Sequence, residues 1–174
     1  TVAGFSLALE KYGTMPLNKV VQPAIKLAQD GFTVNSALAD DLKTYGSEVL
    51  PNHANSKAIF WKDGEPLKQG DKLVQTNLAK SLTLIAENGP DAFYKGAIAD
   101  QIAEEMHNNG GLMSKADLAN YKAVERTPIS GEYRGYEVFS MPPPSSGGIH
   151  IVQILNILEN FDLHKYGFGS ADAM

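Results

Sequence analysis

Residues 140–148 read Ser-Met-Pro-Pro-Pro-Ser-Ser-Gly-Gly. Three successive prolines remove three backbone donors and fix three φ angles, so neither a helix nor a central sheet ladder can run through Pro142–Pro144. Whatever precedes this stretch must end there, and whatever follows must start afresh. A β-like run, Glu137-Val138-Phe139, comes just before it, and an apolar run, Ile149 to Phe161, comes after it. The fold must therefore accommodate a strand, a rigid joint and a helix in that order.

Such a joint could cradle a phosphate, present a serine nucleophile or simply turn the chain. Ser145-Ser146-Gly147-Gly148 opens a helix, where free N–H groups favour anions. It lacks the P-loop lysine and the G-x-G-x-x-G order. Neither serine sits in a G-x-S-x-G elbow or an S-x-x-K pair. A structural account covers every residue. The prolines stop the strand, a serine caps the next helix, and the glycines let that helix start close to neighbouring backbone. An anion site at Ser145–Gly148 stays as the alternative.

Helical patterning dominates the rest, and glycine punctuates it. Val2 to Lys11 is helix material stopped by Gly13. A helix restarts near Pro23, carries Ala24, Leu27 and Ala28, and ends at Gly31. Another begins after Asn35, shows Leu38 and Leu42 on one face, and ends near Gly46. Leu78, Leu82 and Ile85 mark a helix closed by Gly89. Ile98, Ile102 and Met106 mark one closed by Asn109-Gly110-Gly111. Ser114 with Asp117 forms a capping box for a short further helix. Ala58–Trp61 and Lys72–Val74 read as strands around turn signals at Asp63-Gly64 and Gly70-Asp71. Ile129–Tyr133 and Tyr136–Met141 read as a hairpin turning at Arg134-Gly135. The predicted class is α+β: a predominantly helical segment with short β-hairpins, 1–174 forming a single segment with no dividing linker.

Composition narrows the function. The 174 residues carry a net charge of −5 with no basic run, which argues against a nucleic-acid surface. Hydrophobic residues make up 43% and charged ones 20%, a globular balance. There is no cysteine, so no thiolate zinc site and no cysteine nucleophile. No stretch suits a membrane span, and membrane insertion is not expected. The chain starts at Thr1, and Ser170 looks like a cap for a helix beginning at Ala171–Met174. These ends suggest a processed chain or a fragment.

An N-terminal threonine can be a nucleophile whose own amine is the base. Here the apolar Val2-Ala3-Gly4-Phe5 follows, and Thr1 reads as first by accident. His53, His107, His150 and His164 show no metal-ligand spacing, and His150 within the apolar run reads as a core or edge residue. Asp40-Asp41 and Glu104-Glu105 are adjacent pairs whose side chains diverge around a helix, as on a solvated face. Phe60 and Trp61 read as packing. By themselves these residues form no self-contained catalytic set, and no cofactor or metal is expected.

Taken together, several stretches resemble the bacterial γ-glutamyltranspeptidase (glutathione hydrolase) family. They are Thr1-Val2-Ala3-Gly4, Gln22-Pro23-Ala24 through Gly31-Phe32, and Gly89-Pro90-Asp91-Ala92-Phe93-Tyr94-Lys95-Gly96. Gly110-Gly111-Leu112, Asp117-Leu118, Tyr121 and Met141 to Gly148 continue the series. The resemblance covers the whole chain and matches the later part of the large subunit. It implies part of the αββα sandwich of an N-terminal-nucleophile hydrolase, made as a self-cleaving precursor. It also implies a small-subunit partner from the same precursor, whose first threonine attacks the γ-glutamyl amide of glutathione. Water, amino acids or peptides then accept the acyl group. A periplasmic or secreted location follows from the same resemblance. The family's threonine-histidine start, its substrate-gripping arginine and its oxyanion residues lie outside this segment. No catalytic or substrate-binding residue is therefore carried over, and Ser145-Ser146 stand in a different, proline-led context. Related acylases acting on cephalosporin or poly-γ-glutamate substrates are the other reading. So is a non-catalytic helical module.

Overall fold

A computed structural model describes residues Thr1–Ala173. Met174, the last residue of the expected helix start, lies outside the described residues. Helices dominate and strands occur as antiparallel pairs, so the α+β expectation holds. The chain groups into two compact units, Thr1–Ala123 and Val124 onward.

In the first unit, α1 (Val2–Tyr12) ends as Gly13 donates its N–H to the Leu9 carbonyl at 2.8 Å. A short α2 (Leu17–Val20) precedes α3 (Gln22–Asp30), which has proline in its first turn and buries Ile25 and Ala28. Gly31 then adopts φ 75°, and a Cβ there would come within 2.6 Å of the Leu73 carbonyl oxygen and the Val74 side chain. Only glycine lets the chain leave α3 and pass directly along β1 (Phe32–Thr33). Asn35 caps α4 (Ser36–Asp41), its side chain accepting the Leu38 N–H at 2.9 Å. A π turn, Leu42–Gly46, continues that helix, and Gly46, expected to end it, keeps helical geometry at φ −73° and ψ −31° as the chain runs on without a break. Short turns including α5 (Ser47–Val49) lead to α6 (Ala54–Phe60).

The α6 helix corrects one expectation. Ala58–Phe60 are helical, and only Trp61–Lys62 form a strand, β2. The β-prone cluster Ile59-Phe60-Trp61 is overridden because a helical Phe60 packs against the core of Val34, Leu42, Leu67 and Leu73. Asp63 and Gly64, both at positive φ, turn β2 into β3 (Glu65–Pro66). The segment expected to run from Lys72 is β4 (Lys72–Leu73), and it pairs with β1, not with β2. The ladder is extended by Val34 and Gly70, whose N–H groups donate to Asp71 and Val34 carbonyls at 2.8 and 2.9 Å. Val34 is fully buried at its centre, a burial that contributes about 1.5–3 kcal/mol.

The remaining helices are α7 (Thr76–Asn88), α8 (Asp91–Tyr94), α9 (Ala97–Asn108) and α10 (Lys115–Asn120). Ala79, Ile85, Tyr94, Ile98, Ala99 and Leu118 supply their buried positions. The α9 helix closes with Gly110 at φ 72° and the Gly111 N–H bonded to the Met106 carbonyl at 2.7 Å. The capping box at α10 is complete. Ser114 Oγ accepts the Asp117 N–H at 3.2 Å, and the Asp117 carboxylate accepts the Ser114 N–H at 2.8 Å.

The second unit is a hairpin and a helix. β5 (Ile129–Tyr133) pairs with β6 (Tyr136–Ser140) across Arg134-Gly135, both at positive φ, as the pattern predicted. Arg134 is held in that uncommon conformation from outside the turn. Its N–H donates to Glu159 at 2.7 Å, and its guanidinium donates to the Phe161 carbonyl at 3.1 Å. α11 (Gly147–Leu158) packs on the hairpin, with Val152 against Gly131. Its opposite face is bare. Ile151, Ile154 and Ile157 are 48%, 54% and 61% exposed, so within this chain the expected core helix covers only one side.

Candidate functional site

The joint between β6 and α11 is the place where the sequence concentrates unusual chemistry. Ser145 donates its N–H to the Pro142 carbonyl at 3.2 Å, closing a turn over the prolines. The Pro143–Pro144 peptide is cis. The α11 ladder starts with the His150 N–H donating to the Ser146 carbonyl at 3.0 Å. The capping serine is Ser145, whose Oγ accepts the Gly147 N–H in a long 3.4 Å bond; Ser146 makes no side-chain cap.

Close packing accounts for one of the two glycines, Gly148; a Cβ on Gly147 would meet only Ser145 Oγ at 3.6 Å, an ordinary contact. Gly148 is the buried residue of the joint, and a Cβ there would overlap the Met141 carbonyl oxygen. The first turn of α11 thus lies directly on the end of β6, the close backbone approach expected from the sequence. Beside the joint is an open cavity of about 750 Å³, lined by the three prolines, Phe139, Met141 and Ser145. Arg126 brings a positive charge to its wall. Nothing in Val-Glu-Arg-Thr distinguishes this arginine in the sequence.

That geometry supports packing more than chemistry. Ser145 and Ser146 are exposed, and among the described residues no histidine, carboxylate or amine is hydrogen-bonded to either hydroxyl. A serine without a base is a weak nucleophile.

The other candidates are scattered. Thr1 is exposed and accepts the Phe5 N–H through its carbonyl, with no side-chain cap bond. It borders a groove with Phe93, Tyr94 and Tyr121, where Tyr94 stacks on Tyr121 and its hydroxyl accepts the Ala3 N–H at 3.3 Å. His53, His107, His150 and His164 are all exposed. For His150, read as a core or edge residue, this removes the core alternative: it is exposed on α11. Asp40, Asp41, Glu104 and Glu105 are exposed as expected, and Trp61 is half-buried. Among the described residues no group of three or more His, Cys, Asp or Glu could hold a metal ion. No helix there is long and apolar enough to cross a membrane.

Two carboxylates have displaced pKa values, and both serve turns. The Ser114 hydroxyl, followed by the Ser114 N–H, holds Asp117 below the usual carboxylate range. The Lys68 N–H, with the Lys62 ammonium, does the same for Asp71. Hydrogen bonds to the charged form account for both.

Comparison with known proteins gives these observations a frame. The family described as Gamma-glutamyltranspeptidase matches residues 1–174. The chain is 84% identical to the glutathione hydrolase proenzyme of Escherichia coli (strain K12) over 174 residues, all of this chain and 30% of that protein. It is 47% identical to the acylase ACY 1 proenzyme of Pseudomonas sp. (strain SE83) over 171 residues, again 30% of the relative. In three dimensions it resembles the Helicobacter pylori gamma-glutamyltranspeptidase, with a TM-score of 0.95 and 43% identity. That match covers 99% of this chain and 49% of the other. The chain thus spans about 30% of the length of the curated relatives it matches. With its full length matched in sequence and its fold matched in space, the chain belongs to the gamma-glutamyltranspeptidase family.

Proposed function

We propose that this chain is the later part of the large subunit of a γ-glutamyltranspeptidase and gives structural support to an active site carried elsewhere. The observation that carries the reading is the 84% identity to a glutathione hydrolase proenzyme across every residue. In the reaction envisaged, a threonine freed at the start of a small subunit attacks the γ-glutamyl carbonyl of glutathione. Its own amine takes the proton, and an oxyanion hole stabilises the tetrahedral intermediate. The cysteinylglycine amine leaves with a proton. Water, an amino acid or a peptide then accepts the γ-glutamyl group.

This chain contributes no group to those steps. Its part is the packed frame around Val34 and the β6–α11 joint, which hold one flank of the enzyme. The apolar outer face of α11 supports that role, since Ile151, Ile154 and Ile157 are suited to being covered by further protein. The small subunit of the same precursor is the proposed partner, and the periplasm, or the medium, the proposed location.

Release of nitroaniline from a γ-glutamyl anilide tests the assignment. The full protein should turn the substrate over once its precursor is cut, and the 174-residue chain alone should not. Turnover by the chain alone would refute the supporting role. A full protein that is cut into its subunits yet shows no turnover would refute the enzyme assignment. Cell fractionation checks the location, with recovery in the cytosol counting against it.

The 47% identity to an acylase favours a second reading, an acylase with a different acyl substrate. Competing γ-glutamyl and cephalosporin-type substrates on the full protein separates the two.

A further inference from the structure

The sequence contains two Asn-Gly pairs, Asn88-Gly89 and Asn109-Gly110, and both stand at the C-terminal end of a helix. Glycine after asparagine permits a known rearrangement, because no side chain obstructs the following amide nitrogen. That nitrogen, deprotonated, attacks the asparagine side-chain carbonyl carbon. A new C–N bond closes a five-membered imide and ammonia leaves. Water then opens either imide carbonyl, giving aspartate or isoaspartate. The step requires an available glycine N–H and an asparagine free to rotate about ψ.

The two sites differ in that respect. Asn88 lies inside the last turn of α7, and the Gly89 N–H donates to the Ile85 carbonyl at 2.9 Å. Asn109 lies beyond the last residue of α9, and the Gly110 N–H reaches the His107 carbonyl only at 3.4 Å. Both Asn109 and Gly110 are exposed, whereas Gly89 is half-buried. The side chains do not account for the contrast. Each asparagine donates its amide to the carbonyl four residues back, at 3.2 Å for Asn88 and 2.9 Å for Asn109. The backbone therefore holds the glycine N–H of one pair more tightly than that of the other.

We propose that Asn109 is a site of spontaneous deamidation in the folded protein, while Asn88 is shielded until the protein unfolds. The product places a carboxylate at the negative end of α9 and four residues from Glu105, where it is repelled by both. The isoaspartate form also lengthens the main chain by one carbon. That displaces Gly111 from its 2.7 Å bond to the Met106 carbonyl and from its packing on the Met106 side chain. The modified protein thus loses the closure of α9.

The protein as expressed is incubated at mildly alkaline pH, folded or in urea, and mapped by peptide mass with isoaspartate labelling. Folded protein should gain acid and isoaspartate at 109 several-fold faster than at 88, and urea should bring the two rates together. Equal rates in the folded protein would overturn the proposal, as would faster conversion at 88. So would an intact Asn109 over a period in which the unfolded chain converts. Asn109→Gln keeps the amide and slows ring closure, so the acidic isoform seen by isoelectric focusing should vanish in that variant. Its persistence would place the modification elsewhere.

Discussion

The β1–β4 core of the first unit and α11 of the second use apolar residues in opposite ways. In the first, the modestly apolar helix α3 buries Ile25 and Ala28, and a two-residue strand centres a core on Val34. In the second, α11 is strongly apolar, yet Gly148 is its one buried residue. Hydrophobicity states what a segment gains from being covered; only topology supplies the cover. The core around Val34 closes on itself because β1 and β4 bring residues from both sides of the α4–β3 segment together, whereas α1 of the same unit buries no residue. The second has a hairpin for one face of α11 and solvent for the other.

If that contrast is right, substitutions should separate the closed core from the outer face of α11 by size of effect. Leu73→Ala removes a side chain from the closed core and should cost about 2–5 kcal/mol, measured by urea unfolding. A loss below about 1 kcal/mol would mean that the core is not well packed around Val34. Gly148→Ala should cost about 1–3 kcal/mol, because its methyl meets the Met141 backbone just past β6 with nowhere to go. Ser114→Ala, which deletes the α10 cap, should cost about 1 kcal/mol.

The same cap has a pH signature. Asp117 is held below its ordinary 3.8 in the folded state, so its contribution is present above that value. It is lost as pH falls through the depressed folded value. Asp117→Asn should therefore flatten the acid limb of the stability profile, and an unchanged limb would remove Asp117 as its source. The smallest effect is expected at Ile154→Ser, within about 0.5 kcal/mol in this chain, since its side chain is over half exposed. A larger loss would show that the outer face of α11 is covered and would end the contrast.

Local chemistry was legible in the sequence, and distant pairing was not. Gly13, Gly31, Gly89 and Gly110 end helices where they were expected to, because a stop needs only its own residue and the preceding turn. The Ser114–Asp117 box and the Arg134-Gly135 turn are equally local. The pairing of Phe32–Thr33 with Lys72–Leu73 escaped, since two-residue strands carry no period. Phe60 was misread because its β-prone neighbours outweighed a contact made across the core. At the joint, the role of Gly148 was legible, but the approach of Arg126 to the proline cavity depends on tertiary placement alone.

The grip of Arg134 on Glu159 and Phe161 has a consequence for biosynthesis. Its partners lie 25 and 27 positions along the chain, and linking such near neighbours carries a low ordering entropy. As the ribosome adds residues one by one, the hairpin tip meets its anchor as soon as Phe161 clears the exit tunnel. This segment can adopt its shape as it emerges, without waiting for sequence beyond Phe161.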